Sequence, residues 1–557
     1  MESIWLKNYP QGVPAEIDPN KFPSIVHVFK NTVAQYANRP AVANLRTVLS
    51  YQELDEVSDA FAAFLQKILK LQKGDRLAIM LPNLIQYMVV LYGAFKAGLT
   101  VVNVNPLYTA DELVYQLQDS GAETIVVLAN FAKTVQQALG RVKIKNIVVT
   151  EVGDAFAAIK SILVNFVVKH IKKMVPAFSI PQAIKYRKAI QQGKHLTLDL
   201  IELTGKDLAF LQYTGGTTGV AKGAMLSHRN MVANIEQAFN WMLPFIECGH
   251  EIVVTPLPLY HIFSLLANCL VFMRAGSLNL LITNPRDIDG FIKELKSYKF
   301  TSMTGVNTLF NALANNKKFK TADFSCLKVV LGGGMAIQRA VADKWQKITG
   351  VHLLEAYGLT ETCPAVTINP LTLKQYNGSI GLPIPSTQIK ILDEDGHEVS
   401  IGERGELCIK GPQVMEGYWN MPAETNKVML PDGWLKTGDI AKVDEEGFVY
   451  IVDRKKDMVV VSGFNVYPNE VEDIIALHPG VLEVAVIGML SEKTGEALKA
   501  FVVKKDPSLT KEDIITFCRE HLTAYKIPKI YEFRNELPKS NVGKILRRAL
   551  RNEEKNS

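Results

Sequence analysis

Residues 213–223 read Tyr213, Thr214, Gly215, Gly216, Thr217, Thr218, Gly219, Val220, Ala221, Lys222 and Gly223. The four glycines of this stretch let a backbone approach an anion closely, and its three threonine hydroxyls and one lysine can bind phosphate oxygens. An apolar run at 208–211 precedes it, and a helix is expected to begin near His228. It does not fit GxxxxGK[ST], because Lys222 follows Ala221 and precedes Gly223, which excludes a kinase or GTPase loop. There is no GxSxG nucleophile elbow. The six cysteines form no CxxC pair and read as scattered reduced thiols.

Other candidate residues follow in order. Gly332, Gly333, Gly334 and Met335 come after an apolar stretch at 328–331. Tyr357, Gly358, Thr360 and Glu361 lie in 355–361, Thr437, Gly438 and Asp439 in 437–439, and Arg454 in the charged run 453–457. Gly463 and Phe464 open 462–470, and Lys544 lies in 538–548. Taken singly, Glu361 would be a surface carboxylate, Gly332–Gly334 a turn and Lys544 one exposed lysine of a basic tail. Taken together, they resemble the adenylate-forming superfamily of acyl-CoA synthetases, luciferases and peptide-synthetase adenylation domains. Residues 432–456 are similar to the signature of fatty acyl-CoA synthetases. The segments 105–109, 282–286 and 304–308 bring the resemblance closest to bacterial long-chain fatty-acid ligases, over essentially the whole chain. Ala221 departs from the family loop, which commonly has proline there.

The resemblance implies ATP and CoA as co-substrates, with Mg²⁺. It implies that Thr214, Gly215, Gly216, Thr217, Thr218, Gly219 and Lys222 hold phosphates, with Tyr213 opening the loop. Tyr357 stacks near adenine, with Gly332, Gly333, Gly334, Gly358 and Thr360 around the nucleotide, and Asp439 and Arg454 reach the ribose. Glu361 binds Mg²⁺. Lys544, Lys222 and Glu361 form the catalytic set, which neutralises charge as a carboxylate attacks the α-phosphate. Gly463 and Phe464 serve CoA, Gly463 lining a pantetheine tunnel after a rotation that removes Lys544. Tyr260 and His261 flank the acyl pocket; peptide-synthetase domains have an aspartate beside this aromatic to hold an amino group, so His261 argues against amino-acid substrates.

These residues need a scaffold. Strand patterns at 76–80, 99–104, 124–128 and 147–150 alternate with helical ones such as 84–96, which implies βαβ units and a mostly parallel sheet. Short strands at 388–392, 405–410 and 448–452 lie between turn residues. Beyond the break at 453–457, helices at 469–477 and 511–521 and strands at 484–487 and 500–503 make a small α+β unit. The expected architecture is α/β: a large domain over 1–452 with a β-rich section at about 380–452, and a mobile domain over 453–557 hinged near 453–454.

Composition fits this. With 557 residues, two or more domains are expected. Hydrophobic residues at 48% and charged ones at 21% describe a globular chain, and a net charge of +6 without a concentrated basic patch argues against nucleic acid. No secretory signal and no membrane span are evident, which places the protein in the cytoplasm. Residues 159–175 carry an apolar stripe with Lys160, Lys169, Lys172 and Lys173 beside it, suiting peripheral contact with an anionic membrane or packing on the protein itself. A ligase for short-chain or aryl acids, a fatty acyl-AMP ligase serving a carrier protein and a non-catalytic sensor are the alternatives. Chain length, pathway and oligomeric state stay open.

Overall fold

The computed structural model describes residues 3–214, 221–462, 464–491 and 494–556. Strands Arg76–Met80, Thr100–Asn103, Thr124–Leu128 and Asn146–Thr150 pair in parallel. Thr124–Leu128 is buried throughout, as a parallel strand covered on both faces must be. The crossover helices start where the sequence supplies caps. Thr109 and Glu112 form a capping box at the start of Ala110–Ser120, and Gly121 ends that helix in the left-handed conformation at φ +63°.

These strands belong to an eight-stranded sheet that also holds Leu208–Thr214 and Lys222–Ser227. A nine-stranded sheet includes Ile252–Thr255, Ser302–Gly305, Val329–Gly333 and Leu354–Gly358, again mutually parallel. Helix His228–Met242 and the helix from Ile262 to Arg274 join side chains of both sheets, among them Leu77, Ile79, Val253 and Leu331, in one apolar core. The second helix is wound as a π-helix over Leu265–Val271.

An antiparallel sheet of Gln388–Leu392, Gly405–Lys410, Leu435–Val443 and Val449–Arg454 follows. The sequence reading lacks Leu435–Val443, whose alternation is blurred by lysines and a glycine. After Arg454 the chain builds a five-stranded sheet, with helices Pro468–Leu477 and Lys511–His521 packed on a separate core around Val471, Ile475, Val486 and Ile514. Its longest hairpin, Val481–Ser491 with Gly495–Lys504, runs well past the expected 484–487 and 500–503, because cross-strand pairing carries it beyond its apolar part.

Candidate active site

Parallel strands leave their carboxyl ends on one side of a sheet, where ligands collect. Thr214, Gly333 and Gly358 are the last residues of their strands, the Tyr260–His261 loop follows Ile252–Thr255, and helix Asn307–Asn315 follows Ser302–Gly305. All of them line one cavity of about 1250 Å³ between these strand ends and the C-terminal unit.

On one wall, Tyr357 donates a 2.6 Å hydrogen bond to Asp439 Oδ2, and Arg454 Nε lies 3.4 Å from Asp439 Oδ1. Asp439 and Arg454 sit opposite each other on adjacent strands, so pairing register alone brings them together. Burial pushes the Asp439 carboxyl up from its ordinary range, and Arg454 opposes that shift.

Lys544 enters from the C-terminal unit. A Cβ on Gly334, which has φ +77°, would lie 3.0 Å from Lys544 Cε, so glycine here serves both backbone and passage. Burial lowers the Lys544 ammonium to about 8, Arg454 adds to the shift and Asp439 opposes it. His261 is lowered to about 3 by burial and then by Lys544. Its Nδ1 accepts a 3.3 Å hydrogen bond from Phe263 N, leaving the proton of the neutral ring on Nε2.

Opposite, Lys222 pairs with Glu424 Oε2 at 2.5 Å and lies 5.0 Å over the Tyr418 ring. Hydrogen bonds from Lys222 and Lys427 hold the Glu424 carboxyl at about 2. Tyr418 donates a 2.6 Å hydrogen bond to Glu361 Oε1. Tyr418 reaches this place because strand Gly417–Tyr418 pairs with Lys222–Ser227.

The Tyr260–His261 loop is pinned by buried amides. Asn83 Nδ2 donates to the carbonyls of Thr255 and Leu257, Asn83 Oδ1 accepts from Leu259 N, and Gln212 Nε2 donates to the Tyr260 carbonyl at 2.8 Å. Behind the loop the cavity wall turns apolar, with Ala238, Met242, Leu266, Ala267, Val271 and Phe272. The π-helical stretch supplies three of these, the kind of winding often met at functional sites.

Residues 29–419 match the AMP-binding enzyme family and residues 470–544 its C-terminal domain. The chain belongs to the AMP-binding enzymes. A long-chain-fatty-acid–CoA ligase of Yersinia pestis is 57% identical over 100% of this chain and 98% of its own length. One from Haemophilus influenzae is 52% identical over 100% of this chain and 99% of its own. Among solved structures, an anthranilate–CoA ligase in complex with anthranoyl-AMP superposes with a TM-score of 0.85 over 96% of this chain and 99% of that one; at 23% identity this speaks to fold alone.

In this AMP-binding enzyme the cavity gathers Thr214, Lys222, Tyr260, His261, Gly333, Gly334, Tyr357, Gly358, Thr360, Glu361, Asp439, Arg454 and Lys544. Gly332 stands behind the wall, where a Cβ would meet Ile337. Tyr213 also lines the cavity, with its hydroxyl bound to Asp119 Oδ2 at 2.5 Å and its ring over Gly223. Phe464 is exposed and stacks on Tyr525 outside the cavity. Gly215, Gly216, Thr217, Thr218, Gly219 and Gly463 lie outside the described residues. Asn83, Gln212, Tyr418 and Glu424 were not singled out from the sequence. Asn83 and Gln212 left a faint signal, as polar residues within or beside apolar runs.

Proposed function

We propose that the chain is a long-chain fatty-acid–CoA ligase that works through an acyl-adenylate. The observation that carries this reading is the continuity of one cavity from Lys544, Asp439 and Arg454 to the apolar wall at Met242, Leu266 and Phe272. Each buried methylene is favoured by roughly 0.8 kcal/mol, so such an arm rewards a long chain.

The fatty carboxylate attacks the α-phosphate of ATP, forming the acyl–AMP anhydride and expelling pyrophosphate. Both reactants are anionic, and Lys544 and Lys222 place two cations on the same cavity. Tyr357, Asp439 and Arg454 offer the donors and acceptor that suit adenosine. The thiol of CoA, as thiolate, then attacks the acyl carbonyl, AMP leaves and the thioester forms. Glu361, Thr214 and Thr360 line the same cavity and offer hard oxygen donors, the chemistry that would hold Mg²⁺ together with waters and substrate phosphates. When bound, the ion neutralises phosphate charge; Tyr418 orients the carboxylate that would hold it.

The arrangement with Lys544 in the cavity suits adenylation. We assign 1–452 and 453–557 as the two moving bodies, with the hinge at Asp453–Arg454 and Gly463 and Phe464 brought in for the CoA step. The test is AMP release over a fatty-acid series with and without CoA. Long-chain acids should give the highest kcat/KM and require CoA for turnover. A preference for short or aryl acids, or adenylate formation without CoA consumption, would overturn the reading.

The same reading places this cytoplasmic enzyme at times on the inner face of the cytoplasmic membrane. No helix among the described residues is long and apolar enough to cross a membrane. Helix Ala158–Phe166, however, leaves Ile159, Ile162, Leu163 and Phe166 at 79, 68, 60 and 55% exposure, with Lys169, Lys172 and Lys173 exposed just beyond. Lys160 is not on that face: it donates to the Leu45 carbonyl and to Thr47 Oγ1. An apolar stripe with flanking cations suits an anionic bilayer. Co-sedimentation with anionic vesicles should fall when Lys169, Lys172 and Lys173 are changed to glutamine; an unchanged pellet would reject it.

A further inference from the structure

The segment 304–308 has no role in the mechanism above. Its residues end strand Ser302–Gly305 and open helix Asn307–Asn315. Thr304 Oγ1 donates 2.7 Å to buried Asn268 Oδ1, and Asn307 exchanges hydrogen bonds with Gln338. Both tie the segment to helical elements of the large domain, the π-helical stretch and the start of helix Arg339–Thr349. Thr308 points the other way. Its Oγ1 donates a 2.9 Å hydrogen bond to the carbonyl of Gly543, the residue before Lys544. One turn on, Asn311 Nδ2 donates 3.1 Å to the carbonyl of Leu482 in the C-terminal unit.

The loop that Thr308 meets is braced within itself. Ser540 N donates to the Lys544 carbonyl at 2.7 Å, Lys544 N to Ser540 Oγ at 3.1 Å and Gly543 N to the Ser540 carbonyl at 3.0 Å. Gly543 has φ +83°, and a Cβ there would lie 2.9 Å from Thr308 Oγ1 and 3.2 Å from Val306 Cγ2. A stiff loop seated this closely transmits its position to the next side chain. The depth at which the Lys544 amine enters the cavity is therefore set where the loop docks.

We propose that Thr308 is a positioning residue for adenylation, acting through the Gly543 carbonyl on Lys544. This deepens the ligase reading and rests on it. In the two-body movement proposed above, the contact would be made only while Lys544 occupies the cavity, so its loss would be felt in one half-reaction.

The test uses the full chain with Thr308→Val, which keeps shape and removes the donor, and Thr308→Ser, which keeps the donor. Acyl-AMP formation from a long-chain acid and thioester formation from supplied acyl-AMP are measured separately. Thr308→Val should lower the adenylation kcat roughly three- to tenfold, the range of one hydrogen bond. KM for ATP should change little, thioester formation should not fall, and Thr308→Ser should recover most of the loss. Equal loss in both half-reactions would make the role merely structural, and a raised KM for ATP at unchanged kcat would make Thr308 a nucleotide contact. Either result, or an indifferent Thr308→Val, overturns the inference while wild-type adenylation stands. Wild type unable to adenylate any long-chain acid would sink the ligase reading itself, and this inference with it.

Discussion

Tyr418 holds Glu361: its hydroxyl lies 2.6 Å from Glu361 Oε1, while its ring supports the Lys222 ammonium at 5.0 Å. One aromatic side chain thus fixes a carboxylate and a cation that face the same cavity. Tyr418→Phe keeps the ring and loses the donor. A hydrogen bond to a charged group is worth about 1.5–3 kcal/mol. The Mg²⁺ concentration for half-maximal adenylation should rise roughly tenfold, and Glu361→Gln should raise it further. A Mg²⁺ titration that overlays wild type would move Glu361 out of the metal site.

Lys544→Ala should reduce acyl-AMP formation by a factor of about a hundred or more while sparing thioester formation from supplied acyl-AMP, since its charge serves one transition state. Stopped assays of each half-reaction decide this, and equal losses would refute it.

The Lys544 ammonium is lowered to about 8, and the charged form is the useful one. Lysine is charged below its pKa. Adenylation kcat/KM, which reports the free enzyme, should therefore fall as pH rises through about 8, well before an ordinary lysine would titrate. In Lys544→Arg that limb should vanish at whatever activity remains, because arginine stays charged. A wild-type profile flat to pH 10 would contradict the assignment.

Ala267 lies on the apolar arm within the π-helical stretch. Ala267→Phe should shorten the accepted chain: KM for long acids rises several-fold while medium-chain acids are handled as before. A uniform change across the series would place the acyl chain elsewhere.

Arg547 binds Asp453 Oδ1 at 3.1 Å and Glu472 Oε2 at 2.6 Å, and Asp453 is fully buried. Removing the cation strands both carboxylates. Arg547→Met should cost about 3–5 kcal/mol in the stability of the C-terminal unit, read as an earlier step in chemical unfolding. A loss under 1 kcal/mol, on the order of an exposed pair, would mean that solvent reaches these groups.

Much of the scaffold was readable because its signals are local. Arg76–Met80, Thr124–Leu128, Gln388–Leu392, Gly405–Lys410 and Lys511–His521 fall on the expected residues, each an apolar run or a capped helix. Leu435–Val443 was hidden, since its pleat alternates with lysines and is made a strand by its neighbours. In the site, Lys544, Asp439, Arg454 and Glu361 stood out by motif. Tyr418 did not, and Thr308 lay in a likeness at 304–308 that named no role for it, because what they do depends on partners 57 and 235 positions away. Nothing within a few residues of either announces the partner, and only the closed fold creates the pair.

The seat of Lys544 also has a temporal side. An amine stripped of water and set beside Arg454 is an uncomfortable guest unless anions share the chamber. A triphosphate is such a companion, so in the proposed movement nucleotide entry would favour the C-terminal unit in its inward position. Once pyrophosphate departs, most of that negative charge leaves with it, and the pull of solvent on the lysine grows again. In the two-body movement proposed above, the hydration of one ammonium would then act as a clock for the reaction, favouring the closed lid while there is phosphate to transfer and the open one when the anhydride is made and a thiol must come in.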